Sequence, residues 1–266
     1  EAFVKKTSGG AWGTKVKKVK IENNAPKAYG FIGWNMTNDF FKDKKVRIAL
    51  THLMNRAEMI EKFRYGLSLP ATGPWYQQSP YADTDVKPIP YDPKKAQELL
   101  NQAGWHDNDK NGILEKKFND ETREFKFTLL FVSKDSEKYL THYKQDLAKV
   151  GIEMELKRLE WNSFVKLLDE KKFEAITLAW GPGSVDNDPK QIWHSSSAQT
   201  GGSNFISYNN PKVDKLIEEG RKLLKREERI KVWKKVYRAV AEDAPYLFLF
   251  NKKFELYAHA DRIKRL

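Results

Sequence analysis

An α/β fold built around parallel strands is what the sequence predicts, and two observations carry that prediction. Strand-like runs at Phe125 to Val132, Ile152 to Leu159 and Phe173 to Trp180 alternate with two stretches of helical spacing. Each stretch carries its own punctuation. Between Ser136 and Val150 the residues Tyr139, Leu140, Tyr143, Leu147 and Val150 recur at helical intervals, and Gly151 stands where a left-handed cap ends a helix. Glu160-Trp161-Asn162 opens the second stretch, whose Phe164, Leu167 and Leu168 face inward. The order βαβαβ gives parallel strands joined by crossovers.

In open α/β sheets ligands bind outside the carboxyl ends of the strands. The third run delivers Trp180 to such an end and stops at Gly181-Pro182-Gly183. The loop that follows holds Asp186, Asp188 and Pro189, then a short helical stretch with a second indole, Trp193. Two carboxylates and two indoles are more than a connection needs. Trp180, Gly181, Gly183, Asp186, Asp188 and Trp193 are therefore the candidate ligand-binding residues, together with Asn204 of the flexible turn at Gly201 to Phe205.

The remaining elements follow in order. Lys15 to Ile21 and Ala28 to Asn35 are strand-like around a turn at Asn23 to Pro26. A helix from Lys44 to Asn55 buries Val46, Ala49, Leu50 and Leu53, and Asn55 with Glu58 forms a capping box for the next helix, which Gly66 ends. Leu69 to Pro90 has no period, but Trp75, Tyr76 and Tyr81 mark it as a shaped surface loop and not a disordered linker. Asp92-Pro93 and Asn210-Pro211 each start a helix with a cap followed by proline. The last helix, Glu227 to Glu242, buries Ile230, Val232, Trp233, Val236, Tyr237 and Val240, and strands at Tyr246 to Asn251 and Phe254 to His259 follow. Trp161 and Trp233 are expected in the core, and Trp34 either lines a hinge or packs beneath it.

Asp107, Asp109, Asn111 and Gly112 reproduce the first half of a calcium loop, with Glu115 as a further oxygen donor. The twelfth position, usually a bidentate Glu, holds Phe118. The alternative is an Asx-rich turn between helix and strand.

Composition bounds the chemistry. A chain of 266 residues with 40% hydrophobic and 13% aromatic residues can bury a real core. There is no cysteine, hence no disulfide and no thiolate site, and no apolar run of about 18 residues long enough to span a membrane. The opening EAFVKKTSGG has neither a starting Met nor the apolar segment of a signal peptide, and reads as a cut inside a longer protein or after processing. The net charge of +12 raises a nucleic-acid reading, but the lysines are dispersed: Lys15, Lys17, Lys18 and Lys20 alternate with Val16, Val19 and Ile21 as on a solvated strand face. His52, His106, His142, His194 and His259 are scattered, and no H-E-x-x-H, G-x-S-x-G or phosphate-loop motif occurs, so catalysis is not expected.

The stretches FFKDKKVRIALTHLMNRAEMI, PATGP, YDPKKAQELLNQAGW, LAKVGIEMELKRLEWNSF, NFISYNNPKVDKLIEEG and VAEDAPYLFLF run through most of the chain. In that order they resemble the extracytoplasmic solute-binding proteins of peptide-type ABC importers, the oligopeptide and dipeptide group of bacterial extracellular solute-binding family 5. The resemblance implies a periplasmic-binding-protein-like lobe, the carboxyl-terminal half of a protein about twice this length. Residues 1–35 and 243–266 would be strands of the hinge and first lobe, and residues 36–242 the ligand-binding lobe. It further implies a bacterial protein of the periplasm or cell exterior, free or lipid-anchored. The implied partners are a peptide or other small solute, permease subunits and the missing amino-terminal lobe, with no nucleic acid, a monomeric state and no required cofactor; calcium at Asp107 to Glu115 rests on the loop motif alone. In peptide-binding members an Asp three residues after the tryptophan pairs with the peptide amine; here that position is Gly183, and Asp186 or Asp188 is left to replace it. Trp180 and Trp193 equally suit stacking on sugar rings, so an oligosaccharide stands as the alternative ligand.

Overall fold

The computed structural model describes residues 2–199 and 201–263. Its first half runs α1 (Ala2–Lys5), β1 (Val16–Ile21), β2 (Tyr29–Trp34), α2 (Asp39–Lys42), α3 (Lys44–His52), α4 (Arg56–Arg64), β3 (Ser68–Pro70) and α5 (Pro93–Gln102). A hairpin, β4 (Glu115–Phe118) and β5 (Glu121–Glu124), leads into β6 (Lys126–Phe131), α6 (Glu137–Ala148), β7 (Glu153–Arg158), α7 (Trp161–Asp169) and β8 (Ala175–Trp180). The chain closes with α8 (Lys190–Trp193), α9 (Pro211–Lys222), α10 (Arg226–Asp243), β9 (Tyr246–Lys252) and β10 (Glu255–Ala260).

The predicted βαβαβ unit is present: β6 lies between β7 and β8 and is parallel to both, Leu129 standing beside Leu156 on one side and Ala175 on the other. The unit is half of a mixed six-stranded sheet ordered β3-β9-β2-β8-β6-β7. β2 is antiparallel to β8, with Tyr29 opposite Trp180, and antiparallel to β9 on its other edge. β9 consequently runs the same way as β8. Side chains alternate across the sheet as strand geometry requires. Ile32, Trp34, Leu247 and Leu249 join the core under α3, α5 and α6; Tyr29, Phe31, Tyr246 and Phe248 join the one under α7, α9 and α10. Both faces of the sheet are covered, and the chain folds as a three-layer α/β/α lobe.

Domain boundaries after residue 35 and before residue 243 cut through this sheet. β2 and β9 are interior strands of the lobe, because their two faces carry apolar residues that only a helix layer on each side can bury. What stands outside the sheet is a separate antiparallel ribbon of β1 and β10, with Val16 opposite Ala260. The β4–β5 hairpin had no sequence signal, since EKKF and ETRE are charged and do not alternate; a left-handed Asn119 turns it.

The caps formed as the sequence predicts. Asn55 accepts from the Glu58 amide while its own amide donates to the Glu58 carboxylate at 2.9 Å, Asp92 accepts from Lys95, and Asn210 accepts from Lys212 and Val213. Trp75, Tyr76 and Tyr81 are buried, so the long irregular segment is packed against the body. Trp34 is fully buried and stacks on Phe41 with centroids 5.2 Å apart.

Candidate ligand-binding rim

β6, β7 and β8 end on one edge of the lobe, where β2 begins and β9 finishes. A cavity of about 480 Å³ opens there, lined by Ser133 and Ser136 after β6, Trp161 at the start of α7, Thr177 and Ala179 of β8, and Gly30 of β2. Arg64 and Lys252 supply its charge, and among the described residues no carboxylate lines it. The Arg64 guanidinium lies 4.5 Å from the Phe250 ring and 5.5 Å from the Tyr139 ring, and Nη1 donates to Ser68 Oγ at 3.2 Å. Its Nε is buried without an acceptor, and burial lowers the pKa of the group.

The two helix starts at this rim lack side-chain caps, as does the start of α10. α3, α4, α5 and α9 have amino-terminal side-chain caps, whereas α6 and α7, which start just after β6 and β7, have none. The positive ends of both dipoles lie toward the edge where the cavity opens, although α6 is entered through a 3-10 turn at Lys134–Ser136 in which the Glu137 amide donates to the Lys134 carbonyl.

Trp161 was expected in the core and is 53% exposed. It opens α7 on the solvent side of the turn, resting on Phe164 at 6.1 Å, while Phe164 and Leu168 one turn on satisfy the buried face. A large indole beside an apolar cavity, covered on one side by Phe164, leaves more than half of its surface open for contact.

The residues predicted from the sequence divide. Trp180 ends β8 but turns to the opposite face of the sheet from the cavity, stacked between Phe31 at 6.1 Å and Phe205 at 5.9 Å. Gly181, Gly183, Asp186 and Asp188 are exposed on the loop beyond. The two acids are already engaged. Asp188 pairs with Arg221 at 2.9 Å; Asp186 accepts from the Tyr81 hydroxyl and pairs with Arg226 at 3.4 Å and Arg229 at 3.9 Å. The Tyr81 hydrogen bond, then Arg226 and Arg229, hold the Asp186 carboxyl below its ordinary range.

Trp193 and Asn204 lie inside the lobe. Trp193 is 1% exposed, edge-on to Tyr246 at 4.7 Å and Tyr208 at 5.9 Å, because the short helix α8 lays its indole onto the sheet. Asn204 is fully buried: its amide donates to the carbonyls of Tyr208 at 2.8 Å and His194 at 3.1 Å, and its oxygen accepts from the Tyr208 amide at 2.9 Å. Neither has a surface left to offer a ligand. The rim residues Arg64, Ser133, Ser136 and Trp161 escaped sequence reasoning. The strand-end rule points to Ser133, Ser136 and Trp161 once it is applied to β6 and β7 as well as to β8; Arg64, at the end of α4, has no such signal.

Of the predicted metal ligands, Asp107, Asp109 and Glu115 come together, with carboxylate oxygens within 4.8 Å of one another. The Asn111 side chain is spent inside the loop, accepting from the Ile113 amide at 2.8 Å and donating to Asp109 and Glu124 at 3.0 and 2.8 Å.

A doubly covered α/β sheet with an apolar, cation-bearing cavity at its strand ends is the architecture of a ligand-binding lobe. Residues 8–202 match the family described as bacterial extracellular solute-binding proteins, family 5 Middle, and the chain belongs to that family. It is 33% identical over 245 residues to the oligopeptide-binding protein AppA of Bacillus subtilis, a match covering 89% of this chain and 44% of that protein. The solved structure of that AppA in complex with a nonapeptide superposes with a TM-score of 0.82 at 31% identity, covering 94% of this chain and 49% of the other. NikZ from Campylobacter jejuni, solved in complex with Ni(L-His), gives a TM-score of 0.77 at 25% identity over 94% of this chain and 49% of its own. The chain spans about half the length of the relatives it matches. Among the described residues, no helix is long and apolar enough to cross a membrane.

Proposed function

We propose that this chain is one lobe of the substrate-binding component of a bacterial ABC importer, which captures a peptide-like solute between two lobes outside the cytoplasm and delivers it to the permease. The observation that carries this reading is the cavity at the carboxyl ends of β6 and β8, apolar in its walls and charged only by Arg64 and Lys252. A cleft of that chemistry suits a chain with apolar side chains and a carboxylate end, which Arg64 and the uncapped amino ends of α6 and α7 would receive. Gly183, where peptide binders of the family carry an acid, leaves no amine-pairing carboxylate at the rim. The amine of a bound peptide then falls to the other lobe or stays in water.

The second lobe would sit over the same edge. The chain passes from β1 into β2, and from β9 into β10, at the end of the sheet where the cavity opens, and on the β1–β10 ribbon Leu256 and Tyr257 stay exposed at 37% and 51%. Two strands crossing together make a hinge, and closure is favoured by contacts that exist only when both lobes touch the solute. Capture of this kind is binding by contact and needs neither a catalytic group nor a cofactor.

Calorimetry on the full-length protein and on this chain tests the reading with a set of short peptides. The full-length protein binds one or more of them, and this chain alone binds the same peptides at least a hundredfold more weakly, about 2.7 kcal/mol lost with half of the contacts. Equal affinity of the two, or a full-length protein indifferent to peptides, contradicts it.

A further inference from the structure

The loop between α5 and β4 lies at the end of the sheet opposite the rim. The Leu114 amide donates to the Gly151 carbonyl at 2.8 Å and the Phe125 amide to the Leu114 carbonyl at 2.6 Å, which ties the loop to the amino ends of β7 and β6. Asp107 and Asp109 are exposed, Glu115 is 6% exposed, and the three carboxylates present oxygens within 4.8 Å of one another. Asp107 accepts from the Gly112 amide at 3.1 Å, and Asp109 from the Asn111 amide and side chain at 3.1 and 3.0 Å.

Glu115 carries the decisive detail. Its Oε1 accepts from the backbone amide and the side chain of Asn108, both at 2.8 Å, but its Oε2 is buried with no donor in reach. A buried carboxylate oxygen without a partner, on a side chain whose carboxylate comes within 4.8 Å of two others, is an arrangement that protein groups alone leave unsatisfied. A cation among the three satisfies all of them together.

We propose that Asp107, Asp109 and Glu115 form a calcium site. The donors are all carboxylate oxygens, the set that a hard cation takes, and not one suited to zinc or copper. Calcium–oxygen distances of about 2.3 to 2.6 Å allow donors around one ion to lie up to about 5 Å apart, and the three carboxylates fall within that reach. Magnesium, at about 2.0 to 2.1 Å, demands a tighter cage. Phe118, in the place of the usual twelfth-position acid, stacks on Phe40 at 5.6 Å and belongs to the core, and the buried Glu115 fills the role of inward-facing carboxylate. Because the loop is fastened to the starts of β6 and β7, the ion acts as a structural clamp far from the cavity, and the inference does not depend on what the rim binds.

The test is thermal unfolding and calorimetry of this chain, stripped with a chelator and titrated with calcium chloride. One ion binds per chain, and at a hundredfold excess over the dissociation constant the midpoint rises by about 5 °C. Magnesium chloride shifts it less. D109N, at an exposed position that leaves folding intact, and E115Q, which keeps the bond from Asn108, each weaken calcium binding at least tenfold. No saturable shift up to about 10 mM calcium, above the weakest range of such loops, overturns the proposal, as does a shift of equal size in the wild type and both variants.

Discussion

Two surfaces meet where β8 ends, and they differ in what their polar groups have left to give. The loop from Gly181 to Pro189 is rich in charge, but Asp186 and Asp188 already answer Arg226, Arg229 and Arg221 and the hydroxyl of Tyr81. The cavity beside it is poor in charge and its groups are unspent: Arg64 keeps an unpaired Nε, Trp161 exposes its indole, and two helices begin without side-chain caps. The lesson is that the residue types of a binding site mark it less well than their unsatisfied valences. Acids on a lysine- and arginine-rich surface find charged partners; a cation and an indole in an apolar hollow are partnered only in part.

Substitutions can break this contrast. The largest effect is expected from Trp193→Ala, which empties a fully buried site between Tyr246 and Tyr208 and costs about 3 to 5 kcal/mol in urea unfolding. A loss below about 1 kcal/mol would return that indole to the list of ligand contacts. Trp161→Ala should do the reverse. Stability stays within about 0.5 kcal/mol, while the full-length protein binds its peptide about tenfold more weakly, near 1.4 kcal/mol; unchanged affinity would remove the rim from the site. The smallest effect concerns Asp186. Its carboxyl is held low in the folded chain, so its contribution is present above the unfolded value of about 3.9 and is lost as the pH falls through the lower folded value. With the side chain half exposed, Asp186→Asn costs under about 1 kcal/mol at neutral pH and flattens that part of the acid limb. If the same substitution lowered ligand affinity tenfold, the loop and not the cavity would be the binding surface.

Much of the fold was legible because its signals are local. The cap-and-proline pairs at Asp92-Pro93 and Asn210-Pro211, the capping box at Asn55 and the apolar spacing of α6, α7 and α10 are decided within a few residues, by backbone amides that need an acceptor and faces that need burial. The parallel order of β6, β7 and β8 followed from the helices between them.

The sequence by itself therefore determined most of the helices and the sheet strands, though not the β4–β5 hairpin, and pointed to the edge of parallel strands as the place to look for a ligand. Only the tertiary structure decided that β2 and β9 enter the middle of the sheet, that Trp193 and Asn204 lie inside while Trp161 lies outside, and that Asp107, Asp109 and Glu115 converge. The reason is physical. Whether a tryptophan or a carboxylate is free depends on which neighbours reach it from strands and helices distant in the chain, and a partner such as Arg226 for Asp186, separated by 40 positions, leaves no trace in local periodicity.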